Sequence, residues 1–223
     1  GMLHGFDYSD YLNGGHKLLA GAANHILGLE DGKKRFADNA LAMSKAFSLC
    51  CTLDEAKAER EEVAFFQAIK VLLTKRDISA KKKTDEEREL AIRQIIGNAV
   101  VTGDVVDVFA AVGLDKPNIG LLDDDFLAEV RSLPEKNLAV ELLERLLEGE
   151  IKSRFSTNVA QEKKFSELLS NVIARYQNRS IETAQVIEEL IDMAKKFAAA
   201  SKRGEVLGLN DDELAFYDAL ANN

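Results

Sequence analysis

Two prolines in 223 residues, Pro117 and Pro134, constrain what this chain can fold into more than any other feature. A proline inside a helix costs about 3 kcal/mol, because it removes a backbone donor and clashes with the preceding turn. Here that penalty is absent almost everywhere, and the strong helix formers Ala, Leu, Glu and Lys dominate the rest. Apolar spacing supplies the period. Phe165, Leu168, Leu169, Val172, Ile173 and Tyr176 recur at three- and four-residue steps over 163–178. Ala184, Ile187, Leu190, Ile191, Ala194 and Phe197 do the same over 181–202. Further helices are predicted over 16–28, 33–50, 53–75, 85–99, 105–112, 123–131 and 135–152. A short last helix carries Leu214, Phe216, Tyr217 and Leu220. The β-branched run from Ala99 to Phe109 would suit a strand as well as a helix; we take it as a helix broken at Thr102 and Gly103. The expected fold is all-α, an irregular multi-helix bundle with little or no β-structure.

Helix ends are marked by side chains able to serve backbone groups that the helix leaves unpaired. Thr52 with Glu55, Thr84 with Glu87, Ser132 with Glu135 and Asn210 with Glu213 all have the spacing of a capping box. Ser180 is an expected N-cap, and Gly28 and Gly204 are expected stops. Loops are predicted from Gly113 to Gly120 and from Lys75 to Lys83. They suggest lobes at 1–80 and 81–223, a division near 117, or one continuous domain. No fixed-period repeat is present.

Bulk properties exclude several classes. Lys and Arg total 29 against 38 Asp and Glu, a net charge of -9, with the two signs interleaved rather than gathered into a basic face. Autonomous tight binding to nucleic acid normally needs a basic stripe, because counterion release supplies most of its energy. Adjacent Cys50 and Cys51 suit neither an ordinary disulfide nor a zinc site and, in an apolar helical context, are expected to be buried. The opening GMLHGFDYSD lacks the basic end and apolar run of a signal peptide, and no stretch stays uncharged long enough to cross a bilayer. A soluble, cytoplasmic protein without membrane contact is expected, with Gly1 before Met2 reading as a tag remnant.

No catalytic, cofactor or metal site can be assigned from residue spacing. Glu-x-x-His pairs are missing, and His4, His16 and His25 lack ligand spacing; of the three, His25 beside Ile26 and Leu27 is expected to be partly buried. Gly28 to Lys34 is too short for a phosphate loop, with Lys34 where a hydroxyl is required. Asp123 to Asp125, and Asp104 with Asp107, suit the positive ends of helix dipoles better than a metal. Two polar features stand out. Arg175-Tyr176-Gln177-Asn178-Arg179 lies between the two best apolar stripes, either as a helix corner or as a protein-docking surface. Lys81, Lys82 and Lys83 form either a solvated loop or a contact for acidic protein or DNA phosphate.

RYQNRSIETAQVIEELI, from Arg175 to Ile191, resembles the carboxy-terminal helical region of the restriction (R, motor) subunit of type I restriction-modification enzymes. HGFDYSDY near the start, EEVAFFQAIKVLLTK, GDVVDVFAAVGLDKPNIGLL, RSLPEKNLAVELLERLL and GLNDDELAFYDALANN are similar to it in the same order, so the likeness covers essentially the whole chain. The resemblance implies a fragment of a larger subunit in which a nuclease domain and two RecA-like motor domains come first. The parent would use ATP and Mg and join methyltransferase and specificity subunits. This region, beginning after the motor, would pack on it and anchor it to the methyltransferase core, with DNA reached through the complex and bound weakly or not at all alone. Further family sequence follows the end of this chain, so some apolar surface is expected to be uncovered. A rival expectation is a DNA-guiding domain that touches the duplex backbone through Lys81 to Lys83, Arg175 and Arg179. A third is a free-standing regulatory adaptor.

Overall fold

In a computed structural model, residues 1–11, 15–74 and 124–221 are described. Their secondary structure is helical throughout. The helices expected at 85–99 and 105–112, the broken helix near Thr102, both predicted loops and the Thr84 cap lie outside the described residues. The chain divides into two compact units, Gly1–Lys116 and Pro117–Asn223.

In the first unit, α1 (Gly15–Leu27), α2 (Gly32–Cys50), α3 (Asp54–Ala58) and α4 (Arg60–Thr74) follow in order. Helix α4 buries Phe65, Ile69, Leu72 and Leu73, one helical stripe, against α1 and α2. Ala22 and Ala23 are fully buried on α1, and side chains this small allow close helix approach. The joint between α1 and α2 is tighter still. A Cβ at Gly32 would fall 1.8 Å from the Ile26 carbonyl oxygen, so glycine alone fits there. Asp31 before it has φ 48°, in the left-handed region. The N-terminal segment straps across this unit: Leu3 is buried, Tyr8 stacks on Phe65 at 5.9 Å, and the Tyr8 hydroxyl donates to Glu62 Oε1 at 3.0 Å.

One expected helix, 53–75, is two. Glu59 interrupts it, and α3 buries no side chain that would hold it in line with α4. The Thr52 cap is absent as well; α3 starts after Leu53, which puts Thr52 one residue too early for its hydroxyl to serve the first turn.

The second unit holds α5 (Asp124–Ser132), α6 (Lys136–Arg154), α7 (Val159–Gln177), α8 (Thr183–Ser201), α9 (Arg203–Leu207) and α10 (Asp211–Ala221). Helix α6 is its axis: every residue from Leu138 to Leu143 is buried, more than one face of a helix, and α7 and α8 pack on it. Phe155, Phe165 and Phe197 close one end of this trio with ring centroids 5.1–5.6 Å apart. Each such aromatic pair adds about 0.5–1.5 kcal/mol beyond its burial.

Sequence reading misplaced three helix signals here. Pro134 delays α6 to Lys136, so Ser132 ends α5, its Oγ donating to the Glu129 carbonyl, and does not cap α6. Ser180 belongs to the end of α7, and α8 starts only after Glu182. Gly204 is not the stop of α8, which ends at Ser201 with Lys202 as its C-cap; it lies inside α9, where Leu209 and Leu214 crowd it, and Gly208, with φ 65°, ends α9. The reciprocal cap at the last helix is present as expected, with Asn210 N–H donating to Glu213 Oε2 and Glu213 N–H donating to Asn210 Oδ1, both at 2.9 Å.

Candidate functional site

The polar run that the sequence singles out closes α7 against α6 and α8. Ser180 N–H donates to the Arg175 carbonyl at 2.9 Å and Arg179 N–H to the Tyr176 carbonyl at 3.0 Å, the paired bonds that end a helix through a left-handed residue. That residue is Arg179, with φ 56°, where most helices place glycine. Arg175 turns onto α8 and grips Glu189 through its two terminal guanidinium nitrogens, at 2.9 and 3.0 Å. Tyr176 turns onto α6, its hydroxyl donating to Asn137 Oδ1 at 2.7 Å, and Thr183 at the start of α8 donates to the same oxygen at 3.4 Å. Gln177, Asn178 and Arg179 are exposed. Two side chains of the run thus hold the corner together, and three are exposed.

A buried ion pair lies near this corner. Glu141 and Arg145, both buried on α6, pair at 2.6 Å. Burial pushes the Tyr176 hydroxyl up to about 12; Arg179 pulls it down and Glu141 and Glu144 push it further up. Tyr176 is therefore a neutral hydrogen-bond donor at any physiological pH.

A second polar cluster was missed in the sequence. Asp218 of α10 is 2% exposed and accepts from Asn158 Nδ2 at 2.8 Å, from Gln161 Nε2 at 3.1 Å and from Arg203 of α9. Asn158 also caps α7, accepting from the Gln161 N–H at 3.1 Å. One carboxylate thereby ties three helices. The only local signal was an acid at position 218, four residues after Leu214 on what is otherwise the apolar face.

Other expected positions fall as follows. Lys81, Lys82 and Lys83 lie outside the described residues, as do Asp104, Asp107 and Asp123. His4 is exposed, while His25 is partly buried against the Phe6 ring at 5.7 Å with no hydrogen-bond partner for Nε2. Asp124 and Asp125 occupy the first turn of α5, as the dipole argument requires. The cysteines correct the expectation of burial: Cys50 is half-buried and Cys51 exposed, at the end of a helix whose buried residues, Gly32, Phe36 and Ala40, all lie in its first half. Gly28 to Lys34 forms a helix end, a turn and a helix start. Its amides at Leu29 and Gly32 donate to the Ile26 and Leu29 carbonyls, so it does not fit a nucleotide phosphate. Among the described residues no group of three or more His, Cys, Asp or Glu could hold a metal, and no helix is long and apolar enough to cross a membrane.

Residues 1–223 match, as a whole, the family described as "Type I restriction enzyme HindI endonuclease subunit-like, C-terminal". The chain belongs to that family. Among relatives of this type I restriction family, the Type I restriction enzyme HindI endonuclease subunit of Haemophilus influenzae is 34% identical over 222 residues, 91% of this chain and 21% of the relative. The Putative type I restriction enzyme MjaIXP endonuclease subunit of Methanocaldococcus jannaschii is 33% identical over 191 residues, 86% of this chain and 18% of the relative. The chain therefore spans about a fifth of the length of these restriction subunits. No solved structure matches it significantly.

Proposed function

We infer that this chain is the helical assembly region of a type I restriction endonuclease subunit. It packs on the ATP-dependent, DNA-translocating part of that subunit and docks it to a methyltransferase–specificity core in the cytoplasm. The family match along the whole chain, to a region making up a fifth of its relatives, carries the reading. The architecture suits the task, since a motor that reels in DNA must pass force to a fixed body, and helices locked by buried side chains resist stretching where a flexible tether would extend. ATP and Mg belong to the parent's motor and nuclease in this reading, and no residue of this chain takes a catalytic role. The rival DNA-guiding reading loses one of its cations, because Arg175 is held by Glu189.

The test is a competition assay. The purified chain should bind a methyltransferase–specificity core, displace the full-length endonuclease subunit from it, and neither hydrolyse ATP nor cut DNA. Absence of binding where the full-length subunit binds would refute the assembly reading. Steeply salt-dependent binding to unrelated duplexes would favour the DNA-guiding one.

A further inference from the structure

Helix α10 packs inward through Leu214 and Asp218, one turn apart. Its opposite face carries Phe216 and Leu220, also one turn apart and 68% and 62% exposed, with Tyr217 beside them. Neither Phe216 nor Leu220 serves the packing of the unit, and two large apolar groups aligned along one helix face are the pattern of a binding anchor. Asp212 and Glu213, both exposed, stand one turn before Phe216 on the same face. From Gly204 to Asn223 the sequence has five acids and no Lys, Arg or His. The preceding cation, Arg203, is paired with the buried Asp218 and lies over the Tyr217 ring, 5.7 Å from its centroid, so its charge is already matched by a carboxylate.

This rim selects the partner. Two copies of the face would oppose acid to acid, and nucleic acid or an anionic membrane would be repelled. An apolar segment flanked by bases satisfies both the anchors and the rim. We propose that the Phe216–Leu220 face of α10 docks a basic amphipathic helix of a partner protein. Assigning that partner to the methyltransferase core rests on the assembly reading above; the chemistry of the face does not.

The probe is a fluorescent helical peptide of Leu and Lys with one apolar and one basic face, titrated with the whole chain and read by anisotropy. The parent chain binds it, and F216S/L220S weakens binding by about ten-fold or more. D212N/E213Q, which retains the helix cap, lowers affinity and flattens its salt dependence. L168S, altering an exposed leucine on α7, leaves binding unchanged. Unaltered exchange protection of the α10 amides in F216S/L220S shows that the helix is still seated. Equal binding by F216S/L220S, equal binding of a Leu/Glu peptide, or a dimer of the chain that F216S/L220S dissolves would each overturn the proposal. Repeating the measurement with the methyltransferase–specificity core separates the two inferences. No binding by the parent chain sinks the assembly reading, whereas binding that F216S/L220S leaves undiminished sinks the assignment of this face.

Discussion

Replacing Asp218 by alanine should detach the last helix while the rest of its unit stays folded. The carboxylate receives three donors, and two of them, the Asn158 and Gln161 amides, are themselves buried. Removing it leaves both amides without their acceptor, at about 1–3 kcal/mol each. Arg203 is part-exposed and can turn to water, so it adds less. The sum, about 2–6 kcal/mol, brackets the roughly 3–5 kcal/mol expected when one member of a buried charged pair is deleted. We therefore expect a loss of about 3–5 kcal/mol. Against it α10 has little: Leu214 is its one buried apolar side chain of any size. Hydrogen exchange read peptide by peptide should show α10 unprotected in D218A while α6 and α8 keep their protection. D218N, which retains an acceptor oxygen, should lie between the two. If D218A costs less than about 1 kcal/mol, or α10 stays protected, the network does not hold the helix and the argument fails.

Arg179→Gly should raise stability by about 0.5–1 kcal/mol, since glycine adopts a left-handed conformation without the side-chain penalty, offset in part by a more flexible unfolded chain; a lower melting temperature would contradict it. Gly32→Ala should unfold the first unit, because its Cβ would overlap the Ile26 carbonyl; a variant with native circular dichroism and melting behaviour would show that the joint yields. Tyr176 has a folded pKa raised from 10 to about 12, so its contribution is complete below pH 10 and drains away as pH climbs toward 12. That gap would be worth about 3 kcal/mol at full strength, and solvent screening of the half-buried ring reduces it to about 1 kcal/mol. Spectrophotometric titration of Tyr176→Phe against the parent should show the missing absorbance change near pH 12; finding it near 10 would mean that the ring is not desolvated.

What the sequence by itself determined was local. Scarce proline and apolar residues at three- and four-residue steps specify helices, and the Asn210–Glu213 pair specifies the start of α10, because every group involved lies within a turn of its partner. The polar run Arg175 to Arg179 does form a corner between two stripes, one of the two readings the sequence left open, but its inward and outward members were not separable. Only the fold decided that Arg175 meets Glu189 and that Tyr176 meets Asn137, 39 positions away. Asp218 looked like any surface acid until α10 laid it against Asn158, 60 residues earlier. Nothing in the spacing of Gly28 to Lys34 marks Gly32 as irreplaceable; that follows only from the Ile26 carbonyl that α1 places beside it. The misread caps did not share one cause: Pro134 moved the start of α6 away from Ser132, whereas Ser180 was taken up by the end of α7 and Gly204 by α9. Hydrogen bonds between near neighbours are encoded by spacing alone, whereas a buried polar contact exists only once other helices have excluded the water that would otherwise satisfy it.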